Sequence, residues 1–174
     1  MAEQPGRYER SFAGLIGAMV ALLLVVGAFV VLRDLNRTEP DNPVKPVDWK
    51  GPASYARDEA DFPLLAPRRL PEGWYATSVR FERQDGQTWH LGMLTGDQDY
   101  VGLEQTPDSA TTMVEEFVDE DAVRGEDVVI DGDTWQAWSD DQDEALVREG
   151  RQVTTLVVGT TPQRVLVDFV RSLR

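Results

Sequence analysis

From Ser11 to Leu32 the chain runs twenty-two residues without a charged side chain, and no polar stripe breaks the apolar positions. A helix of that length spans roughly 33 Å, against a bilayer hydrocarbon core of about 30 Å. Arg7 and Arg10 bound the run on one side and Arg33 on the other, with Tyr8 and Phe12 placed where amphipathic rings favour the membrane interface. The pattern predicts one transmembrane helix over 11–32, too long for the core of a cleaved signal peptide. Residues 33–52 then carry Pro40, Pro43, Pro46 and Pro52 among polar and charged residues. That composition favours extended backbone and predicts a tether.

Beyond the tether the apolar positions recur with periods of two and of 3.6. Ser54 to Asp61 reads as a short helix stopped before Pro63. Trp74 to Arg83 alternates as a strand, Asp85-Gly86 signals a hairpin turn, and strands follow over Thr88–Thr95 and Tyr100–Gln105. Met113, Val114, Phe117 and Val118 then recur at helical spacing, which predicts a helix over 108–119. The order repeats in outline. Val128–Ile130, a turn at Asp131-Gly132, and strands over Thr134–Ser139, Ala145–Arg148 and Gln152–Val158 lead to a helix over 161–172, with Thr161 as cap and Pro162 at its first position. The shared pattern DGxTW, at 85–89 and 131–135, is compatible with a tandem duplication. The expected fold is α+β: an N-terminal transmembrane helix, then a twisted antiparallel sheet of six or seven strands with two main helices packed on it. The expected division is a cytoplasmic tail over 1–10, the membrane helix over 11–32, the tether over 33–52 and an acidic extracytoplasmic domain over 53–174.

Charge narrows the partners. Of a formal net charge of −14, none is excess before Ala53, where six Lys/Arg meet six Asp/Glu; the remainder holds eleven against twenty-five. A domain so acidic repels phosphate backbones and anionic headgroups, which argues against nucleic acid as a partner. With no cysteine there is no disulfide, thiolate metal site or lipidated thiol, so attachment to the bilayer rests on residues 11–32 alone. Two Lys/Arg precede that run and four follow it closely, a count that favours the domain inside. A ten-residue tail, a lone helix and a proline-rich spacer nonetheless have the form of a signal anchor, and long domains translocate largely regardless of charge. The expected location is the cell membrane, single-pass, with the C-terminal domain outside.

Candidate chemistry is sparse. His90 is the only histidine, so any Ser-His-Asp type triad must be built on it, and its alternation with Trp89 and Leu91 puts it on the face opposite those two. No GxSxG, GxGxxG or GxxxxGK[ST] occurs, so no catalytic residue and no cofactor is assigned. Asp140, Asp141, Asp143 and Glu144 crowd one hairpin tip and are weak candidates for a metal site, without the spacing of an EF-hand. Trp135 and Trp138 stand three apart in one strand and so point to opposite faces, which makes them candidates for facing a ligand.

Leu70-Pro71-Glu72-Gly73-Trp74, Ser78-Val79-Arg80-Phe81-Glu82, Tyr100-Val101-Gly102-Leu103-Glu104-Gln105 and the closing Ser172-Leu173-Arg174 carry a resemblance. The chain resembles a family of uncharacterised actinobacterial proteins, each a single-pass anchor followed by a domain of unknown function. The resemblance implies a place outside the cytoplasm and supplies no activity. The expectation is a non-enzymatic envelope protein whose domain binds a partner protein or an apolar ligand. The alternative is a carboxylate-dependent cell-wall hydrolase or transferase.

Overall fold

The computed structural model describes residues 44–174 apart from Asp85, and Ile16, Gly17, Met19, Val20, Leu22 and Val26, which are helical. Most of the predicted span over 11–32 and residues 33–43 of the predicted tether lie outside the described residues. Among the described residues no helix is long and apolar enough to cross a membrane.

Residues 44–174 form one compact unit. Its elements are α1 (Lys50–Glu59), β1 (Tyr75–Glu82), β2 (Thr88–Leu94), β3 (Tyr100–Thr106), α2 (Ala110–Phe117), β4 (Val123–Arg124), β5 (Val128–Ile130), β6 (Asp133–Ser139), β7 (Glu144–Glu149), β8 (Thr154–Gly159) and α3 (Gln163–Ser172). The α+β class and the antiparallel sheet agree with the sequence pattern. The strands run in the order β1-β2-β3-β8-β7-β6-β4, with β5 beside β6. That makes eight strands where six or seven were expected, because β4 is a two-residue pairing of Val123 and Arg124 with Ser139 and Trp138, too short to carry a period.

Residues 44–52, expected as part of the tether, belong to the folded unit. The Val47 N–H donates to the Ala76 carbonyl at 2.9 Å, Trp49 is buried in the core, and α1 opens at Lys50, four residues before the predicted helix. Pro52 falls in the first turn of α1, where a missing N–H costs no helical hydrogen bond, so its presence did not mark a spacer. Unlike α1, the other two helices are shorter than predicted, Ala110–Phe117 against 108–119 and Gln163–Ser172 against 161–172. Ser109 caps α2 by accepting from the Thr112 N–H at 3.2 Å, while α3 starts after Pro162 with no side-chain cap, Thr161 being buried instead.

Two three-stranded meanders, β1–β3 and β6–β8, meet along the β3–β8 pairing. Their register lines up two sets of side chains. Val79, Leu91, Leu103, Val157, Leu146 and Ala137 lie in one row on the core face. Trp89 and Trp135, the tryptophans of the repeated pattern, share the main buried cluster with α1, with Leu166 and Phe169 of α3, and with the segment 62–74. Gln105 fastens that irregular segment, since its side chain accepts from the Leu65 N–H at 2.7 Å and donates to the Pro63 carbonyl at 3.2 Å. The helices break the repeat: Met113 and Val114 of α2 cover Val147, Leu156 and Val158 on the second face, opposite α3.

Candidate functional site

Both long-range helices therefore lie over the same half of the sheet. α2 touches β7 and β8, and α3 touches β5, β7 and β8. Among the described residues of 44–174 the second face of β1–β3 is left without a helix, and polar residues lie there. Arg80, His90 and Glu104 form one row across the three strands, and Ser78, Gly92 and Gly102 the next. A cleft of about 380 Å³ opens over the first of these rows, bounded by Arg80, Glu82, His90, Tyr100, Glu104 and, from the α2 side, Glu116 and Phe117.

His90 is held between two partners. Its Nε2 lies 2.7 Å from the Ser78 hydroxyl, and its Nδ1 is hydrogen-bonded to Glu104 Oε1. Glu104 is only 5% exposed. Burial pushes its carboxyl above the ordinary range, while the hydrogen bond and charge of His90 pull it back and Glu116 adds to the rise. With Glu104 ionised, Nδ1–H donates to the carboxylate and Nε2 is free to accept the Ser78 hydroxyl proton.

Two glycines make the room. A methyl group at Gly92 would land on the Ser78 hydroxyl and stand 3.3 Å from His90 Nε2, and one at Gly102 would stand 2.7 Å from the Tyr100 hydroxyl. The Tyr100 ring thus folds back over bare backbone, and burial raises its phenol to about 12, so the group stays a hydrogen-bond donor through the neutral range.

The residues singled out from the sequence lie elsewhere. Trp135 is buried on the core face, capped by the Arg148 guanidinium 5.1 Å above its ring, and edges a separate hollow of about 230 Å³ with Asp133 and Arg174. Trp138 is half-buried against the α2 cluster and does not line the cleft. Asp140 at the acidic hairpin tip accepts from the Gln142 and Asp143 N–H groups at 2.7 and 2.5 Å, which holds its carboxyl below the usual range. Its neighbour Asp143 is pushed up by burial and by Asp140. Among the described residues no three acidic or histidine side chains converge as a cation site.

The geometry carries no name for a reaction, and comparison with known proteins supplies none. The family of proteins of unknown function DUF4245 matches residues 7–173. The chain belongs to this family. A comparison with curated proteins finds no match. Membership thus agrees with the resemblance read from the sequence as far as unknown function goes, and it covers the anchor-like run as well as the domain.

Proposed function

We propose that this DUF4245 protein is a single-pass membrane protein whose C-terminal domain, held outside the cell membrane, binds a partner through the cleft over β1–β3. The uncharged run at 11–32 supports the anchor, and the helix-free polar face supports the binding site. The apolar residues exposed on the domain, such as Tyr55, Val123 and Val129, sit on α1, β4 and β5, so the cleft is the better-formed recess. Glu82, Glu104, Asp108 and Glu116 outnumber Arg80 in its lining, beside the aromatic rings of Tyr100 and Phe117. Such a surface favours a cationic group over an apolar ligand. The partner is a protein segment that presents a lysine or arginine side chain.

Two measurements test this. Carbonate washing should leave the full chain in the membrane fraction and release a chain lacking residues 11–32; release of both would remove the anchor. Titrating a lysine-rich peptide into isotope-labelled residues 44–174 should shift the amide signals of Thr88, His90 and Glu104, with no such response to a glutamate-rich peptide. Shifts confined to other strands would place binding elsewhere.

A second reading rests on one observation: Ser78, His90 and Glu104 stand in the order of nucleophile, base and orienting carboxylate. In that reading the Ser78 oxygen attacks an acyl carbon as its proton passes to Nε2. The imidazolium then protonates the leaving alcohol or amine, and water releases the acyl group by the same path in reverse. In this relay Glu104 orients His90, which makes it a different reading from the carboxylate-dependent cell-wall hydrolase or transferase expected as the alternative. Against it, Ser78 lies in the middle of β1, paired to β2, rather than at a turn where backbone amides converge on an oxyanion. A fluorophosphonate probe decides: covalent labelling at Ser78, abolished in Ser78→Ala, establishes the relay, and an unlabelled, folded protein removes it.

A further inference from the structure

The acidic total hides a segregated basic surface. Two cavities of about 380 and 310 Å³ share Arg68 and Arg174 in their walls. The first adds Lys50 and Arg57, the second Arg69, and neither has an aspartate or glutamate in its lining. Elsewhere on the domain the arginines are largely spoken for: Arg80, Arg83, Arg124, Arg148 and Arg171 each pair with a carboxylate. Among the described residues the five cations of the two cavities pair with no aspartate or glutamate, and all five are exposed.

The backbone brings them together. The 66–69 segment is tied to the end of α3 by a Pro67–Leu173 bridge, with the Ala66 N–H donating to the Arg174 carbonyl at 3.3 Å and the Arg174 N–H returning to Ala66 at 3.2 Å. Arg57 approaches from α1 and donates to the Arg174 carbonyl at 3.4 Å, while the Arg174 guanidinium is held by the Arg171 and Leu173 carbonyls. Buried Trp49 and Pro67 floor the first cavity, and Leu70 and Pro71 rim the second. Asp48, the nearby carboxylate, is turned onto the Lys50 N–H, 3.0 Å away.

Like charges gathered with no aspartate or glutamate paired to them destabilise a fold slightly, and a bound anion offsets that. Planar guanidinium forks on Arg57, Arg68, Arg69 and Arg174, with one ammonium, match the tetrahedral oxygens of phosphate. The domain's many carboxylates do not prevent the approach, because charges beyond about 10 Å are screened at ordinary ionic strength. We propose that this arginine-lined surface is a binding site for a phosphate ester group. The inference is independent of the cleft over β1–β3. It departs from the expectation that the whole domain repels anionic headgroups, which used net charge, whereas the charge is not evenly spread. The group has two sources, an anionic lipid headgroup or a soluble phosphate ester.

Residues 44–174 suffice for the test, because they form one compact unit that holds both described buried clusters. The probes are glycerol phosphate, vesicles of phosphatidylcholine alone, and vesicles containing phosphatidylglycerol. Binding to the phosphatidylglycerol vesicles only assigns the lipid source, and saturable binding of glycerol phosphate assigns the soluble one. Either should fall roughly thirty-fold in Arg68→Gln/Arg69→Gln. It should be unchanged in Arg164→Gln, an exposed arginine outside both cavities. Both substituted side chains of the double variant are exposed, so its melting temperature should match the parent and a lost signal is not lost folding. No binding of any probe, or equal loss in Arg164→Gln, overturns the proposal.

Discussion

Trp135→Ala should lower the stability of residues 44–174 by about 3–5 kcal/mol, and Trp138→Ala by about 1–3 kcal/mol. The two indoles leave β6 on opposite faces and meet different surroundings. Trp135 is 2% exposed and belongs to the main cluster, so truncation leaves a cavity between the sheet and the elements on its core face. It also strips Arg148 of the ring beneath its guanidinium. Trp138 packs beside Ala145 and Val158 under α2 but remains half-buried, and its indole N–H reaches only Gln136 at 3.4 Å. Solvent already contacts part of that ring, so less transfer energy is lost and the gap can fill with water. Thermal melts of the two variants check the ranking. Equal losses would mean that α2 seals its side of the sheet as completely as the core face is sealed.

This pair also shows how far a sequence reaches. A spacing of three in a strand dictates opposite faces, and the structure keeps that geometry. What the spacing left open is which face is covered, because that depends on where the helices after β3 and β8 travel. The DGxTW repeat invited the idea of two equivalent halves, and its two tryptophans, Trp89 and Trp135, do both lie in the main cluster, but three strands precede the first of the two main helices and five more the second. The helices do not follow, since α2 and α3 pack on opposite faces of the same half. That asymmetry opens the cleft, and no local pattern encodes it.

The cleft residues were partly legible. Ser78-Arg80-Glu82 and Thr88-His90 alternate polar with apolar, so a polar face over β1 and β2 was written in the chain, whereas in β3 the residue between Glu104 and Thr106 is the polar Gln105. His90 was correctly set opposite Trp89 and Leu91. Its partners were not visible, because Ser78 and Glu104 stand 12 and 14 residues away and meet it only through strand register. Gly92 and Gly102 were the available signal, two glycines inside strand patterns where a close approach is the usual reason. The basic surface was hidden more deeply: Arg57, Arg68, Arg69 and Arg174 come from three separate stretches, and a net charge cannot report their meeting.

His90→Leu should cost about 3–5 kcal/mol at neutral pH, with the loss shrinking as the solution is acidified. The cost comes from Glu104 rather than from the ring itself. In the parent, burial already raises the Glu104 carboxyl, and His90 opposes that rise through its hydrogen bond and its charge. Leucine fills similar space but removes both opposing effects, so the folded-state pKa of Glu104 climbs further. A group whose pKa is raised by folding stabilises the fold when protonated; its contribution is complete below the ordinary glutamate range of about 4.3 and is lost as pH rises through the elevated value. The variant should therefore melt close to the parent in acid and fall progressively behind it towards neutrality. In His90→Leu/Glu104→Leu no buried carboxylate remains, and most of the neutral-pH loss should return. Melts of the three proteins at acid and neutral pH separate the causes. A deficit of equal size at both, unrelieved in the double variant, would mean that His90 contributes packing alone and that the hydrogen-bonded chain to Ser78 is incidental to the fold.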